Sequence, residues 1–283
     1  MTATPLIAPA EEFIEGKGGL RLFLRSWQPA GPPRAVVVLM HGFNSHGGHY
    51  LWAGSELAAR GFAVFAVDLR GRGRSDGERF YVESFEDYIN DLSRTVALAK
   101  ARVPDLPVFL LGHSAGGVIS ASYALENPGA LTGLICESFA FRVPAPDFAL
   151  AALKGLSHLA PHAHVLRLKI EDFSRDPEIM AMLLADPLID HEVQPTLTVA
   201  EMVRADERLE AGFTRFTTPV LILHGTADRV TVPKGSELFH AQAGAADKTL
   251  KLYEGHWHDL LNDLGREAVL ADVVAWIEAR LPA

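Results

Sequence analysis

At 283 residues, with 48% hydrophobic and 22% charged content, the chain has an ordinary globular composition and is long enough for one large core or a core carrying an inserted smaller domain. That composition argues against disorder and against fibrous or disulfide-stapled architectures, and the lone cysteine, Cys136, reads as a small buried hydrophobe in a reducing compartment. A formal net charge of −9 argues against nucleic acid as a partner, because phosphate contacts need clustered Lys and Arg, and the one basic cluster, LRGRGRSDGER, already contains acids.

The N-terminus, MTATPLIAPAEEF, lacks a basic region followed by a long apolar stretch, so no signal peptide is expected. No segment reaches the roughly 18 unbroken apolar residues needed to span a bilayer, and a cytoplasmic location is the expectation. Next, EEFIEGKGGLRLFLRSWQP alternates around a Gly-rich turn and predicts an antiparallel hairpin on a sheet edge. AVVVLM (35–40), FAVFAV (62–67), PVFLLG (107–112), LTGLIC (131–136) and PVLILHG (219–225) are continuous, β-branched-rich runs, the pattern of strands buried on both faces. YLWAGSELAARG and SFEDYINDLSRTVALAKAR, lying between them, carry apolar residues at helical spacing, the first ending at Gly61 as a helix would. Strand alternating with helix predicts an α/β fold around a mostly parallel sheet.

Residues 140–213 break this rhythm, with several prolines, helical patterning and no convincing buried strand. They are expected to form a helical cap inserted into a core of residues 1–139 and 214–283. Within the cap, DFALAALKGLSHLA is apolar on most faces, which suits a lid over an apolar pocket and equally a helix buried between core and cap. There is no internal repeat and no low-complexity tract.

The chemistry is carried by LLGHSAGG. Gly112, His113, Ser114, Ala115 and Gly116 satisfy G-x-S-x-G between a predicted strand and a predicted helix, the setting of a strained elbow that presents a serine at a helix N-terminus. A glycine-flanked serine also serves as a simple helix cap, so the pentapeptide needs partners. A serine hydroxyl requires a base, and the base an acid to hold its tautomer. PVLILHGTADRV places Asp228 just beyond a strand; LYEGHWHDLLND supplies His256 and His258 after a further strand-like run, TLKLY. His258 is favoured as base because it immediately precedes a helical segment, and Glu137, after the strand LTGLIC, is the rival acid. The oxyanion hole is expected from the amides of Ala115 and of Phe43 in LMHGFNSHGGHY.

His41, His46 and His49, and His158, His162 and His164, lack a thiolate and the spacing of a helical zinc motif, so no metal is expected. DLRGRGRSDG matches neither a Walker loop nor a dinucleotide fingerprint and reads as turn chemistry braced by Asp68 and Arg70. Triad chemistry needs no cofactor.

HGFNSHGGHY, DLRGRGRSDG, LLGHSAGG, PVLILHGTADRV and YEGHWHDLLND resemble, in order, the signature blocks of the monoacylglycerol lipase and lysophospholipase-like branch of α/β-hydrolases, across residues 11–281. The resemblance implies a serine esterase with a mobile helical cap, Ser114 as nucleophile, Asp228 as acid, His258 as base and the Phe43 and Ala115 amides as oxyanion hole. Two positions depart from the family's habit. Ala115 stands where methionine is common, which enlarges the pocket, and Phe43 is bulkier than its usual counterpart, which narrows it. The implied substrate is a carboxylic ester with an apolar acyl chain, such as a monoacylglycerol, and the cap is a candidate for transient contact with a lipid surface. A general short-chain carboxylesterase and a slow-turnover ligand receptor remain the alternatives. An aminopeptidase would need cap acids such as Glu171, Asp172 or Asp176 to meet a free amine. Oligomeric state, acyl length and alcohol group are not legible.

Overall fold

A computed structural model describes residues 6–141 and 146–282. Residues 1–5 of the N-terminal stretch and 142–145 of the expected cap lie outside the described residues. In chain order the core runs β1 (Ala10–Glu15), β2 (Arg21–Trp27), β3 (Ala35–Met40), α1 (Leu51–Ala59), β4 (Phe62–Val67), α2 (Phe85–Arg102), β5 (Val108–His113), α3 (Ala115–Glu126) and β6 (Gly133–Glu137). There follow α4 (Asp147–Leu159), β7 (His164–Leu166), α5 (Pro177–Leu184), β8 (Gln194–Pro195) and α6 (Thr196–Gly212), then β9 (Val220–Gly225), α7 (Pro233–Gln242), β10 (Lys248–Tyr253) and α8 (Arg266–Glu278).

Eight strands form one sheet in the order β1-β2-β4-β3-β5-β6-β9-β10. β1 pairs antiparallel with β2, and β2 with β4; every later pairing is parallel. The expected mostly parallel sheet flanked by helices is therefore present, with the predicted hairpin at its edge.

Period-two alternation explains why the central strands read as unbroken apolar runs. Val36, Val38 and Met40 of β3 join one core with Ala63, Phe65 and Val67 of β4, while Val37 and Leu39 join the opposite core with Phe62, Val64 and Ala66. Both faces are covered by helices, so no position faces water. Each fully buried side chain of this size contributes about 1.5–3 kcal/mol of transfer free energy. α2 begins where the sequence indicates, with the Ser84 side chain accepting from the Glu86 amide. Gly61 takes φ 89°, closing α1 as expected.

The segment between β6 and β9 adds no strand to the main sheet among the described residues. It contains a feature the helical reading missed, a short antiparallel ribbon of β7 and β8. α4 carries Phe148 and Leu159 77% and 86% exposed, so it is not a helix enclosed between core and cap. α6 packs instead against α4, α3 and α2, bridging this segment to the core.

The start of α3 presses on the carboxyl end of β3. A β-carbon at Gly116 would lie 2.2 Å from the Met40 carbonyl oxygen and 2.5 Å from that of His41, both rigid backbone atoms. Gly116→Ala is therefore expected to cost about 3 kcal/mol or more, despite alanine's better helix propensity. Urea unfolding reads this directly, and an unchanged midpoint would mean the two backbones can separate freely.

Candidate active site

The elbow at Ser114 forms because β5 ends at His113 and α3 starts at Ala115, leaving one residue to reverse the chain. Ser114 takes φ 55° and ψ −122°, a conformation that L-residues adopt only under constraint. The constraint is visible: its amide donates to the Glu137 carbonyl at 2.9 Å, and its own carbonyl accepts from Gly117 at 2.9 Å. The Ala115 amide is the first of α3, one of the donors that a helix start leaves unpaired, and it carries the positive end of the helix dipole.

The loop after β3 reaches the same point. A β-carbon at Gly42 would sit 2.8 Å from Ser114 Cβ and 3.3 Å from the Ala115 amide nitrogen, so only glycine lets Phe43 follow so close to the elbow. His41 braces this loop. Its Nδ1 donates to the Gly42 carbonyl at 2.7 Å, its Nε2 accepts from the Leu69 amide at 2.8 Å, and burial holds its pKa well below the ordinary histidine value. Phe43 lines the cleft at Ser114, and its ring lies 4.0 Å beneath the Arg72 guanidinium.

Asp228 follows β9. Burial alone would raise its pKa, but the His258 charge and the hydrogen bonds from His224, His258 and Thr231 outweigh that, holding it far below the usual carboxylate range. Its Oδ1 accepts from the Val230 and Thr231 amides at 2.8 and 3.0 Å. Its Oδ2 accepts from His258 Nδ1 at 2.8 Å, Thr231 Oγ1 at 2.8 Å and His224 Nε2 at 3.0 Å. His258 is fully buried, and its Nε2 has no hydrogen-bond partner among the described residues. Gly225 permits this meeting, because any β-carbon there would lie 2.3 Å from the His256 carbonyl oxygen.

The two rivals are placed elsewhere. His256 Nδ1 lies 4.0 Å from Asp263 and its ring packs 5.5 Å from Tyr253, away from Asp228. Glu137 ends β6 behind the elbow, where its Oε1 accepts from the Leu261 amide at 2.9 Å. Burial and the Asp259 charge push its carboxyl well above the usual range, the opposite direction from Asp228. Its neighbour His113 is pulled by burial down to about 4.

The braces expected after β4 are present. Asp68 accepts from the Gly47 amide at 2.7 Å and the Arg74 amide at 2.9 Å, tying two loops together. Arg70 holds both oxygens of Asp91 on α2, at 2.6 and 2.8 Å. Three of the histidines weighed as metal ligands meet carboxylates. His46 and His49 both meet Asp186 Oδ2 at 2.8 Å, while His162 meets Glu78 at 2.8 Å on the surface. Burial alone would raise the Asp186 carboxyl, but the two imidazoles and the Leu188 amide hold it down. Sequence reasoning missed a second clasp of the same kind: Glu192, fully buried, accepts from the Asn44 amide at 2.9 Å and from Arg72. Together Asp186 and Glu192 pin the 140–213 segment to the loop that carries Phe43.

A cleft of about 60 Å³ lies at Ser114, lined by Phe43, Ala115, Leu166, Val199, Met202 and Val230. Leu166, Leu168, Val199 and Val230 also line a wider, mainly apolar cavity of about 400 Å³ beneath α4, bounded by Leu150 and Leu153. Asp172 stands at its mouth, 3.7 Å from Arg229. Asp176 is occupied in capping α5, through the Glu178 amide at 2.9 Å. No helix of the described residues is long and apolar enough to cross a membrane.

Residues 31–265 match the family described as serine aminopeptidase, S33. The chain is similar to a monoacylglycerol lipase of Mycolicibacterium smegmatis, 34% identical over 96% of this chain and 98% of that one. It is also similar to the human monoglyceride lipase, 33% identical over 98% and 94% of the two chains. The solved structure of the Paleococcus ferrophilus monoacylglycerol lipase superposes with a TM-score of 0.83 at 29% identity, covering 92% of this chain and 99% of that one.

Proposed function

The chain belongs to the serine aminopeptidase S33 family, on the α/β-hydrolase fold, and from that premise we propose that it is a serine hydrolase of carboxylic esters, most closely a monoacylglycerol-type lipase. The observation that carries this reading is the apolar cavity of about 400 Å³ directly beside the Ser114 cleft, the two sharing four apolar side chains as lining. A chain of methylenes gains about 0.8 kcal/mol per buried CH₂ in such a space, whereas a peptide would bring unpaired amides into it.

In the proposed reaction Ser114 Oγ attacks the ester carbonyl while His258 Nε2 takes the hydroxyl proton. Asp228 steadies the resulting imidazolium, and the Phe43 and Ala115 amides hold the oxyanion. Collapse expels the alcohol, which receives the proton from His258. Water, activated by the same imidazole, then releases the acid. Besides substrate and water, each proposed step uses only side chains and backbone of this chain, so the reaction as written requires no cofactor.

Residues 140–213 act in this proposal as the cap over the acyl chain. Its outward Phe148, Leu156 and Leu159 form the face for transient contact with a lipid surface. A cytoplasmic setting fits the single buried thiol of Cys136. The small space directly at Ser114 favours one second reading, a short-chain carboxylesterase that leaves the wider cavity unused.

The test is kcat/KM across glycerol monoesters and simple alkyl esters of increasing acyl length, with Ser114→Ala as control. The expected result is a rise with chain length that is steeper for glycerol esters. A maximum at short chains, whatever the alcohol, would select the carboxylesterase reading. Negligible turnover on all of them would overturn ester hydrolysis and bring forward a slow ligand receptor.

A further inference from the structure

Asp228 is gripped by two imidazoles rather than one. His258 Nδ1 and His224 Nε2 reach the same oxygen, Oδ2, at 2.8 and 3.0 Å. His224 is fully buried, the one ring in the otherwise aliphatic strand β9, and it touches neither the cleft at Ser114 nor the wider cavity. Its other nitrogen, Nδ1, lies 2.7 Å from Ser236 Oγ on α7. A hydroxyl donating to Nδ1 leaves the proton on Nε2, so one consistent arrangement of hydrogens runs from Ser236 through His224 to Asp228.

We propose that His224 is a positioning residue for the triad: by donating to the Asp228 oxygen that also receives His258, it fixes the carboxylate and sets how strongly Asp228 supports positive charge on His258. This rests on the reading of Ser114, His258 and Asp228 given above. The effect is electrostatic. Each donor on Oδ2 disperses part of its charge, so an Asp228 that has lost the His224 donor holds a protonated His258 more firmly. The fully charged imidazole then persists to higher pH, where it cannot accept the serine proton.

Several further groups face His258 from neighbouring elements. The His113 ring from β5 lies at 4.8 Å and the Phe173 ring at 5.1 Å. Glu137 on β6 and Asp259, next to His258, are further buried acids nearby, and the charges of both act on Tyr50. Arg229, beside Asp228, turns outward over the Trp257 ring at 4.1 Å and toward Asp172.

The experiment is the pH profile of kcat/KM on a soluble short-chain ester for the wild type, His224→Phe and His224→Gln. Phenylalanine fills the space without a donor, whereas the glutamine amide can donate to Oδ2. His224→Phe is expected to move the acid limb up by about half a pH unit and to lower kcat several-fold with KM unchanged. His224→Gln is expected to return the limb to within about 0.2 units of wild type. Equal behaviour of the two variants, or a limb that stays in place in His224→Phe, would reduce His224 to a packing residue. Should His224→Phe not fold, His224→Leu, smaller and likewise without a donor, takes its place; a limb that stays in place there overturns the proposal. Failure of the underlying reading has a different signature, namely retained turnover in Ser114→Ala.

Discussion

Ser114→Ala is expected to lower ester turnover by at least about 10⁴-fold while leaving the fold intact. The size follows from what is lost. The Phe43 and Ala115 amides, the apolar cavity and the His258–Asp228 pair all remain, so binding and residual oxyanion stabilisation persist, but no covalent route is left. Stability is expected to change by no more than about 0.5 kcal/mol, because the elbow is held by backbone hydrogen bonds from Ser114 to Glu137 and Gly117 rather than by the side chain. KM should therefore move little while kcat collapses. Substantial remaining turnover would assign the chemistry to another group.

Asp228→Asn is expected to cost about 10⁴-fold in kcat near neutral pH, through the tautomer of His258. The donors around this carboxylate decide how an asparagine must sit. Oδ1 faces two backbone amides that cannot move, from Val230 and Thr231, so the asparagine oxygen takes that place. Its NH₂ then points at His258, Thr231 and His224, where Oδ2 accepted before. His258 Nδ1 can meet an amide hydrogen only with its lone pair, which moves the proton to Nε2 and removes the base. Facing donors also leave buried hydrogens unpaired, with a stability cost of about 1–3 kcal/mol. The measurement is kcat together with a denaturation midpoint. Near-wild-type kcat would mean that His258 does not depend on this carboxylate.

Much of the fold is legible because the central strands are covered on both faces. Val36 to Met40 and Phe62 to Val67 alternate between two cores, so neither needs a polar side chain and each stands out as an unbroken run. Boundaries are less clear. LTGLIC suggests a strand from Leu131, yet the ladder with β5 begins at Gly133, where the chain is squeezed against Trp276. The β7–β8 ribbon leaves no sequence signal because three residues and two residues are too few to show a period.

The site divides along similar lines. Ser114, Asp228 and His258 each follow a strand in chain order, so local pattern is enough to nominate them. Choosing Asp228 over Glu137 requires their environments: one carboxylate is ringed by donors, the other lies against a second acid. The clasps on the Phe43 loop are invisible for a different reason. Arg72 and Glu192 are 120 residues apart, and nothing in either neighbourhood indicates the other. His224 does leave a signal, a histidine in an otherwise aliphatic strand four residues before Asp228, but only the fold turns it toward the carboxylate.

The most direct measurement is covalent capture of the nucleophile with an alkyl fluorophosphonate, followed by mass mapping of the labelled peptide. One equivalent of adduct on the peptide containing Ser114, absent in Ser114→Ala and slowed strongly in Asp228→Asn, is the expected result. Labelling at another residue, or equal labelling of wild type and Ser114→Ala, would contradict the assignment of Ser114 as the nucleophile.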